Sequence, residues 1–289
     1  MSERNLPADR HEAGRVRPDS GGDHVVLRHT LRVVLAIALT AYFIAALLVL
    51  GLRYVVLPQA ESFRPRIEAA ISEKIHAQLS IGKLTPHWMS FQPGVEVTNL
   101  TIRDRDGHIA LAIPHATATV SWRSLWQLKP ILSSLIVDQP DVLVERASDG
   151  ALSVAGVPLP SGHTGNDTFS TWLLRQQAIV MRGGTIRWRD ARHDAPELAL
   201  QNIRVAILND GYDHRLALQA PADGKVLFGP LDFRVNFTHA RTSAMGKPIN
   251  WSGEAYVSTG PVDLPMLARY IDFPIETYAG RIDNAIWVK

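Results

Sequence analysis

The chain has no cysteine, which excludes disulfide bridges, thiolate nucleophiles and cysteine-ligated zinc. Charge of one sign is scarce as well: 30 basic against 28 acidic side chains leave a net charge of +2. No basic tract is dense enough to follow a line of phosphates, so nucleic acid is not an expected partner. The 11 histidines include no His-Glu-x-x-His pattern, and no two sit close with acidic company in an apolar setting. Glycine-rich phosphate signatures and the Gly-x-Ser-x-Gly elbow are missing too. The best polar cluster, "RWRDARHDAPE" with Asp190, His193, Asp194 and Glu197, falls between two strand-like runs and reads as a solvated turn rather than a metal site. Tryptophans 88, 122, 126, 172, 188, 251 and 287 are read as core or sheet-end residues, not as a cofactor box. No catalytic residue, metal or cofactor is expected, and the chain does not read as an enzyme.

Long apolar runs are confined to one place. From Val33 to Leu52 the sequence "VVLAIALTAYFIAALLVLGL" carries no charge and is bracketed by Arg32 and Arg53. That length crosses roughly 30 Å of hydrocarbon as a helix, so a transmembrane helix is expected over about residues 31–57. A cleaved signal peptide would have a shorter apolar stretch ending at a small-residue site. Arginines flank the run on both sides (Arg28 and Arg32; Arg53, Arg64 and Arg66), so the positive-inside rule assigns no orientation. A short arm followed by a long segment without a second span fits a signal anchor with the bulk of the chain outside the cytoplasm.

Residues 1–27 mix charge, proline and glycine without hydrophobic period, and a disordered cytoplasmic arm is expected over about 1–30. After the span, Phe63, Ile67, Ile71, Ile75 and Leu79 recur at steps of four, predicting an amphipathic helix over about 61–80. Ser62 is its expected cap and Pro65 is placed in its first turn. The period then changes to two and stays so, in runs such as Ile109 to Val120, Leu216 to Ala220, Leu231 to Phe237 and Trp251 to Val257. Asp-Gly pairs at 106–107, 149–150, 210–211 and 223–224 supply the positive φ angles of tight turns. A meandering antiparallel sheet follows, with a loop over about 147–168 and a short helix or turn in "FSTWLLRQQAIV".

Two stretches share a defect. "VEVTNLTI" (Val95 to Ile102) and "LALQNIRV" (Leu198 to Val205) alternate apolar and polar, skip one step at an Asn, and alternate again. Val95, Val97, Leu100 and Ile102 share a face only if the alternation slips at Asn99, and Leu198, Leu200, Ile203 and Val205 only if it slips at Asn202. β-Bulges are expected at both asparagines, bending the sheet toward its apolar side. A second echo links "LIVDQPDVLVER" (Leu135 to Arg146) with "IVMRGGTIRWRD" (Ile179 to Asp190), which predicts a repeated supersecondary unit.

The ordered series "LTPHWMSFQPGVEVTNLTIRD", "TVSWRSLWQLKP", "IVDQPDVLVERASDGALSV", "WLLRQQAIVMRGGTIRWRD" and "GPVDLPMLARYI", behind one span and an amphipathic helix, closely resembles the N-terminal part of the YhdP family. That family belongs to the AsmA-like group that includes TamB, and the likeness runs from about residue 31 to the end. Family members are several times longer, so the β domain over 58–289 is expected to be incomplete at its C-terminal end. The resemblance implies a single-pass protein of the bacterial inner membrane with its bulk in the periplasm. Its fold would be mainly β, with a transmembrane and an amphipathic helix and a curved, bulged antiparallel sheet forming an open, taco-like trough.

The implied function is a lipid-transfer conduit between inner and outer membranes, with phospholipid acyl chains as cargo and other envelope proteins as further partners. An acyl chain exposed to water costs ~0.8 kcal/mol per CH₂, or about 10 kcal/mol for a tail, and an apolar trough removes most of that. Val95, Val97, Leu100, Ile102, Leu198, Leu200, Ile203 and Val205 would line it, and Val97 and Leu100 must then share a face. Two other readings make different predictions. A β-sandwich or barrel would place these residues in a dry core between facing sheets. An envelope assembly scaffold would present its sheet edge to proteins and carry no lipid.

Overall fold

The computed structural model describes residues 21–104, 106–127, 129–158, 167–193, 195–239, 251–270 and 281–288. The chain divides into two compact units, 1–55 and 56–289.

In the first unit, α1 (Gly21–Gly51) carries the uncharged run. It is long and apolar enough to cross a membrane. Large apolar side chains such as Leu31 and Leu47 are 67% and 68% exposed along it, an arrangement suited to lipid rather than water. The helix starts at Gly21, so residues 21–30 are helical rather than an unstructured arm. Once a helix is nucleated in the apolar run, each added residue gains a backbone hydrogen bond, and Val25, Val26 and Leu27 offer no breaker. Residues 1–20 lie outside the described residues.

A π-helical stretch (Leu52–Val56) and a 3-10 turn (Leu57–Gln59) lead into α2 (Ala60–Ile75). The chain enters α2 already helical, so Ser62 is not its cap. Its hydroxyl instead donates to the Gln59 carbonyl at 2.6 Å. Pro65 lies inside the helix, beyond its first turn. The helix stops short of Leu79, because His76 turns left-handed at φ 56°. Leu79 is already part of a strand, although the step-of-four pattern runs through it.

The strands are β1 (Gln78–Met89), β2 (Gln92–Arg103) and β3 (Ile109–Val120), then, past the short α3 (Arg123–Gln127), β4 (Leu132–Asp138) and β5 (Asp141–Arg146). The small hairpin β6 (Leu152–Val154) and β7 (Val157–Pro158) occupies part of the expected 147–168 loop, and α4 (Asp167–Arg175) follows. The remainder is β8 (Ala178–Asp190), β9 (Ala195–Asp210), β10 (Asp213–Ala220), β11 (Leu231–His239), β12 (Trp251–Asp263), α5 (Leu264–Leu267) and β13 (Arg281–Val288). The four Asp-Gly glycines, Gly107, Gly150, Gly211 and Gly224, all have positive φ, from 63° to 88°.

All 13 strands belong to one curved sheet. Among the described residues no second sheet faces it, so the β-sandwich reading is overturned. The sheet is mixed where it was expected to be antiparallel throughout. β4 and β5 are two collinear halves broken at Gln139-Pro140, and both pair β8 in parallel. The segment between β5 and β8 is long enough to make the crossover that parallel neighbours require. The second echo thereby has a cause: its two copies lie side by side in register, from Leu135↔Ile179 to Arg146↔Asp190.

Candidate functional site

The slipped alternation rests on left-handed residues. Asn99 has φ 54° and Asn202 φ 56°, and asparagine tolerates this region better than most residues because its short amide bonds locally. Ile81↔Leu100 and Lys83↔Thr98 keep one register across Asn99, as do Leu100↔Ile113 and Thr98↔His115. Asn99 is therefore not an added residue opposing a single partner, as a bulge would be. Gly82 stands opposite Asn99, and both strands change parity together, Ile81 and Leu84 of β1 joining Val97 and Leu100 in one cluster. Near Asn202, Gly183 of β8 has φ 63°, and the β8–β9 register slips between Met181 and Gly184 and again between Gly184 and Ile186, where Gln201 and Asn202 oppose Thr185 alone. Gln139, φ 50°, completes the line across the β4–β5 break.

The consequence is a single apolar face. Val95, Val97, Leu100 and Ile102 pack together against Leu79, Ile81 and Leu84 of β1, so Val97 and Leu100 share a side. Directly paired residues project to the same side of a sheet. Val97 pairs Ala116, which pairs Val137, which pairs Met181, which pairs Val205. The row continues through Leu218, Phe233 and Val257 to Ile286 on β13. From Val97 through Val257 its members are half-buried, apart from the buried Ala116.

One part of this face is covered. Leu198 and Leu200, with Trp188 and Leu231, pack under Val226, Leu227, Val262, Met266, Leu267 and Tyr270. These belong to a plug made by residues 221–230 and 262–270. Asp223 organises its first half by accepting the backbone N–H groups of Lys225, Val226 and Leu227 at 2.7–3.0 Å. Asp263 caps α5 by accepting the Met266 N–H at 2.9 Å. Of the eight proposed lining residues, Leu198 and Leu200 thus sit in a packed cluster, and Ile203 is only 1% exposed. Val205 lies beyond the plug and is half-buried.

The plug is fastened by the polar cluster read from the sequence as a solvated turn. Asp190 is fully buried at its side chain and pairs with Arg146. It also accepts the backbone N–H groups of Arg192 and His193 at 3.0 and 3.3 Å, and its Oδ2 lies 2.9 Å from His193 Nδ1. The Arg146 hydrogen bond, against the opposing effect of burial, holds the Asp190 carboxyl well below the usual carboxylate range. Arg146 also donates to the Tyr270 carbonyl at 2.7 Å, tying the sheet to the end of the plug. Glu197 instead pairs with Arg189 at 3.1 Å, and Asp194 lies outside the described residues.

On the opposite face, His115 bridges two strands, with Nδ1 3.0 Å from Asp138 and Nε2 2.9 Å from Glu96. Its pKa is raised by the Asp138 hydrogen bond first and the Glu96 hydrogen bond second. Among the described residues the one cluster spaced to hold a cation is Asp104, Asp106 and His108. Asp104 Oδ1 there accepts the N–H groups of Asp106 and His108, each at 2.9 Å, as the turn between β2 and β3 requires.

α2 guards the free edge of β1. Glu61 accepts the Leu84 N–H at 2.8 Å, Glu68 the Ile81 N–H at 2.6 Å and Ser72 the Leu79 N–H at 3.0 Å, while Arg64 donates to the Ile81 carbonyl at 2.8 Å. These side chains stand where a neighbouring strand would, which blocks edge-to-edge pairing. The sequence marked the apolar stripe of α2 but not this role of its polar stripe; the spacing of Glu61, Arg64, Glu68 and Ser72 along one face was the available signal.

One open, curved sheet with a continuous apolar face, a helix clasping its first edge and a helix long and apolar enough to cross a membrane are the parts of an AsmA-like envelope protein. The sequence matches the family described as YhdP protein over residues 15–289, and the chain belongs to that family. No curated protein and no solved structure gives a significant match.

Proposed function

We propose that this chain is part of an inner-membrane-anchored, periplasmic conduit that moves phospholipid between the inner and outer membranes along its apolar sheet face. The observation that carries the reading is the row from Leu84 through Val97, Met181 and Phe233 to Ile286, which crosses the sheet without a polar member and, among the described residues, has no second sheet over it. Such a face lowers the cost of about 0.8 kcal/mol per exposed CH₂ that holds a lipid tail in its bilayer, while headgroups stay wet. No nucleotide site is needed to lower that barrier. The kinks at Asn99 and Asn202 keep the face apolar on both sides of the bend, and the plug closes it over Leu198 and Leu200.

Photo-crosslinking in bacterial membranes tests this. A probe at Val205 or Leu218 is expected to recover phospholipid, whereas one at Ala206 or Ala217, on the opposite face, is not. Recovery of protein alone from the apolar-face probes would replace the conduit with an assembly scaffold.

A further inference from the structure

α2 uses its two stripes differently. The polar stripe is spent on the β1 edge, and the apolar stripe is left over a groove of about 630 Å³. Val56, Leu57, Phe63, Ile67 and Ala70 form one wall, and Leu84 and Val95 of the sheet form the other. This volume lies within the ~300–1,000 Å³ typical of small-ligand sites. Phe63 and Ile67 each remain 38% exposed, so protein atoms do not fill the space. Leu84 pairs Val97 and Val95 pairs Ala118, so the groove opens onto the apolar face of the sheet.

A single cation stands among these apolar residues. Arg66 lines the groove, is exposed, and makes no ion pair among the described residues. Its neighbour Arg64 is committed, with Nε 2.8 Å from Glu61 and Nη1 bonded to the Ile81 carbonyl. An apolar slot with an unengaged guanidinium is complementary to an amphiphile that carries a tail and an anionic head, and guanidinium binds phosphate in a bidentate manner. We infer that the groove is a binding site for an anionic phospholipid, with one acyl chain between α2 and Leu84 and Val95 and the headgroup phosphate on Arg66. This rests on the conduit reading and gives it a first station with a headgroup preference.

The test uses the full chain in nanodiscs of equimolar phosphatidylglycerol and phosphatidylethanolamine, with a photo-crosslinker at Ala70 and, separately, at Val205. At Ala70 the adducts are expected to favour phosphatidylglycerol about two- to five-fold, the worth of one exposed charge pair. Arg66→Gln is expected to abolish that preference while adducts persist, and Ile67→Asp to remove the adducts. Arg215→Gln, on the far face, should change neither, and retained protease resistance checks the fold of each variant. No lipid at Ala70, or the same adduct ratio in Arg66→Gln, overturns the proposal; the latter result means that α2 rests on the bilayer surface. Adducts at Val205 without any at Ala70 sink the groove and keep the conduit, whereas the reverse pattern keeps the groove and sinks the conduit.

Discussion

Gly82 lies opposite Asn99, so close that a methyl group on Gly82 would come 2.9 Å from the Asn99 Cβ and equally near the Thr98 carbonyl. The kink in β2 therefore depends on a residue in β1 that has no side chain. The pair predicts its own mutational behaviour. Gly82→Ala should destabilise by about 1–3 kcal/mol through overpacking against backbone. Asn99→Val should cost about 1–2 kcal/mol because a β-branched residue resists positive φ, while Asn99→Gly should be nearly neutral. Denaturant titration of the detergent-solubilised chain measures all three, and equal losses for the Val and Gly variants would show that the left-handed conformation is not what matters.

Arg146 joins β5, β8 and the plug in one side chain. Arg146→Met leaves the Asp190 carboxylate buried without its main partner, and the expected loss is about 3–5 kcal/mol. The double variant Arg146→Met, Asp190→Leu should recover part of that, since no charge is left unpaired. Amide exchange should also quicken first at residues 263–270, whose carbonyl anchor at Tyr270 is lost. Uniform quickening across the sheet would count against a local fastening role.

Two histidines set opposite pH limits. His115 has a raised pKa because Asp138 and Glu96 favour its charged form, so its contribution is complete below about 6.5 and fades as pH climbs through the raised value. His214 is 1% exposed, and burial, then His239, lowers its pKa, so it folds neutral. Its contribution is present above about 6.5 and is lost as pH falls toward the lowered value. Thermal stability should thus peak between the two limbs. His115→Gln should flatten the alkaline limb and His214→Gln the acidic one, and interchange of these effects would refute the assignment.

Much of this was legible in the chain itself. The apolar run, the alternating strands, the Asp-Gly turns and the parity slips at Asn99 and Asn202 are local patterns, and local patterns survive in a sequence. β1 was not legible, because Ile71, Ile75 and Leu79 keep a helical step while His76 breaks the helix through its backbone alone. The slip at Asn99 was placed correctly but misread as a bulge, since β1 changes parity with it at Gly82, whereas at Asn202 β9 carries an extra residue against β8, as a bulge does. The plug and the burial of Asp190 escaped because they join Arg146 to Tyr270, 124 residues apart, and no periodicity encodes such a contact.

The parallel seam between β4–β5 and β8 has a kinetic meaning. Apart from the seam itself, β1, β2, β3 and β4 on one side pair with near neighbours in the chain, and β8 through β12 on the other side do the same. Each group can form with little loop-closure entropy, whereas joining them across the β5–β8 crossover requires closing a long loop before any pairing repays it. The sheet is therefore expected to assemble as two quickly formed meanders that meet late at one line. An interval with exposed edges at that line is where misassembly or chaperone capture would act.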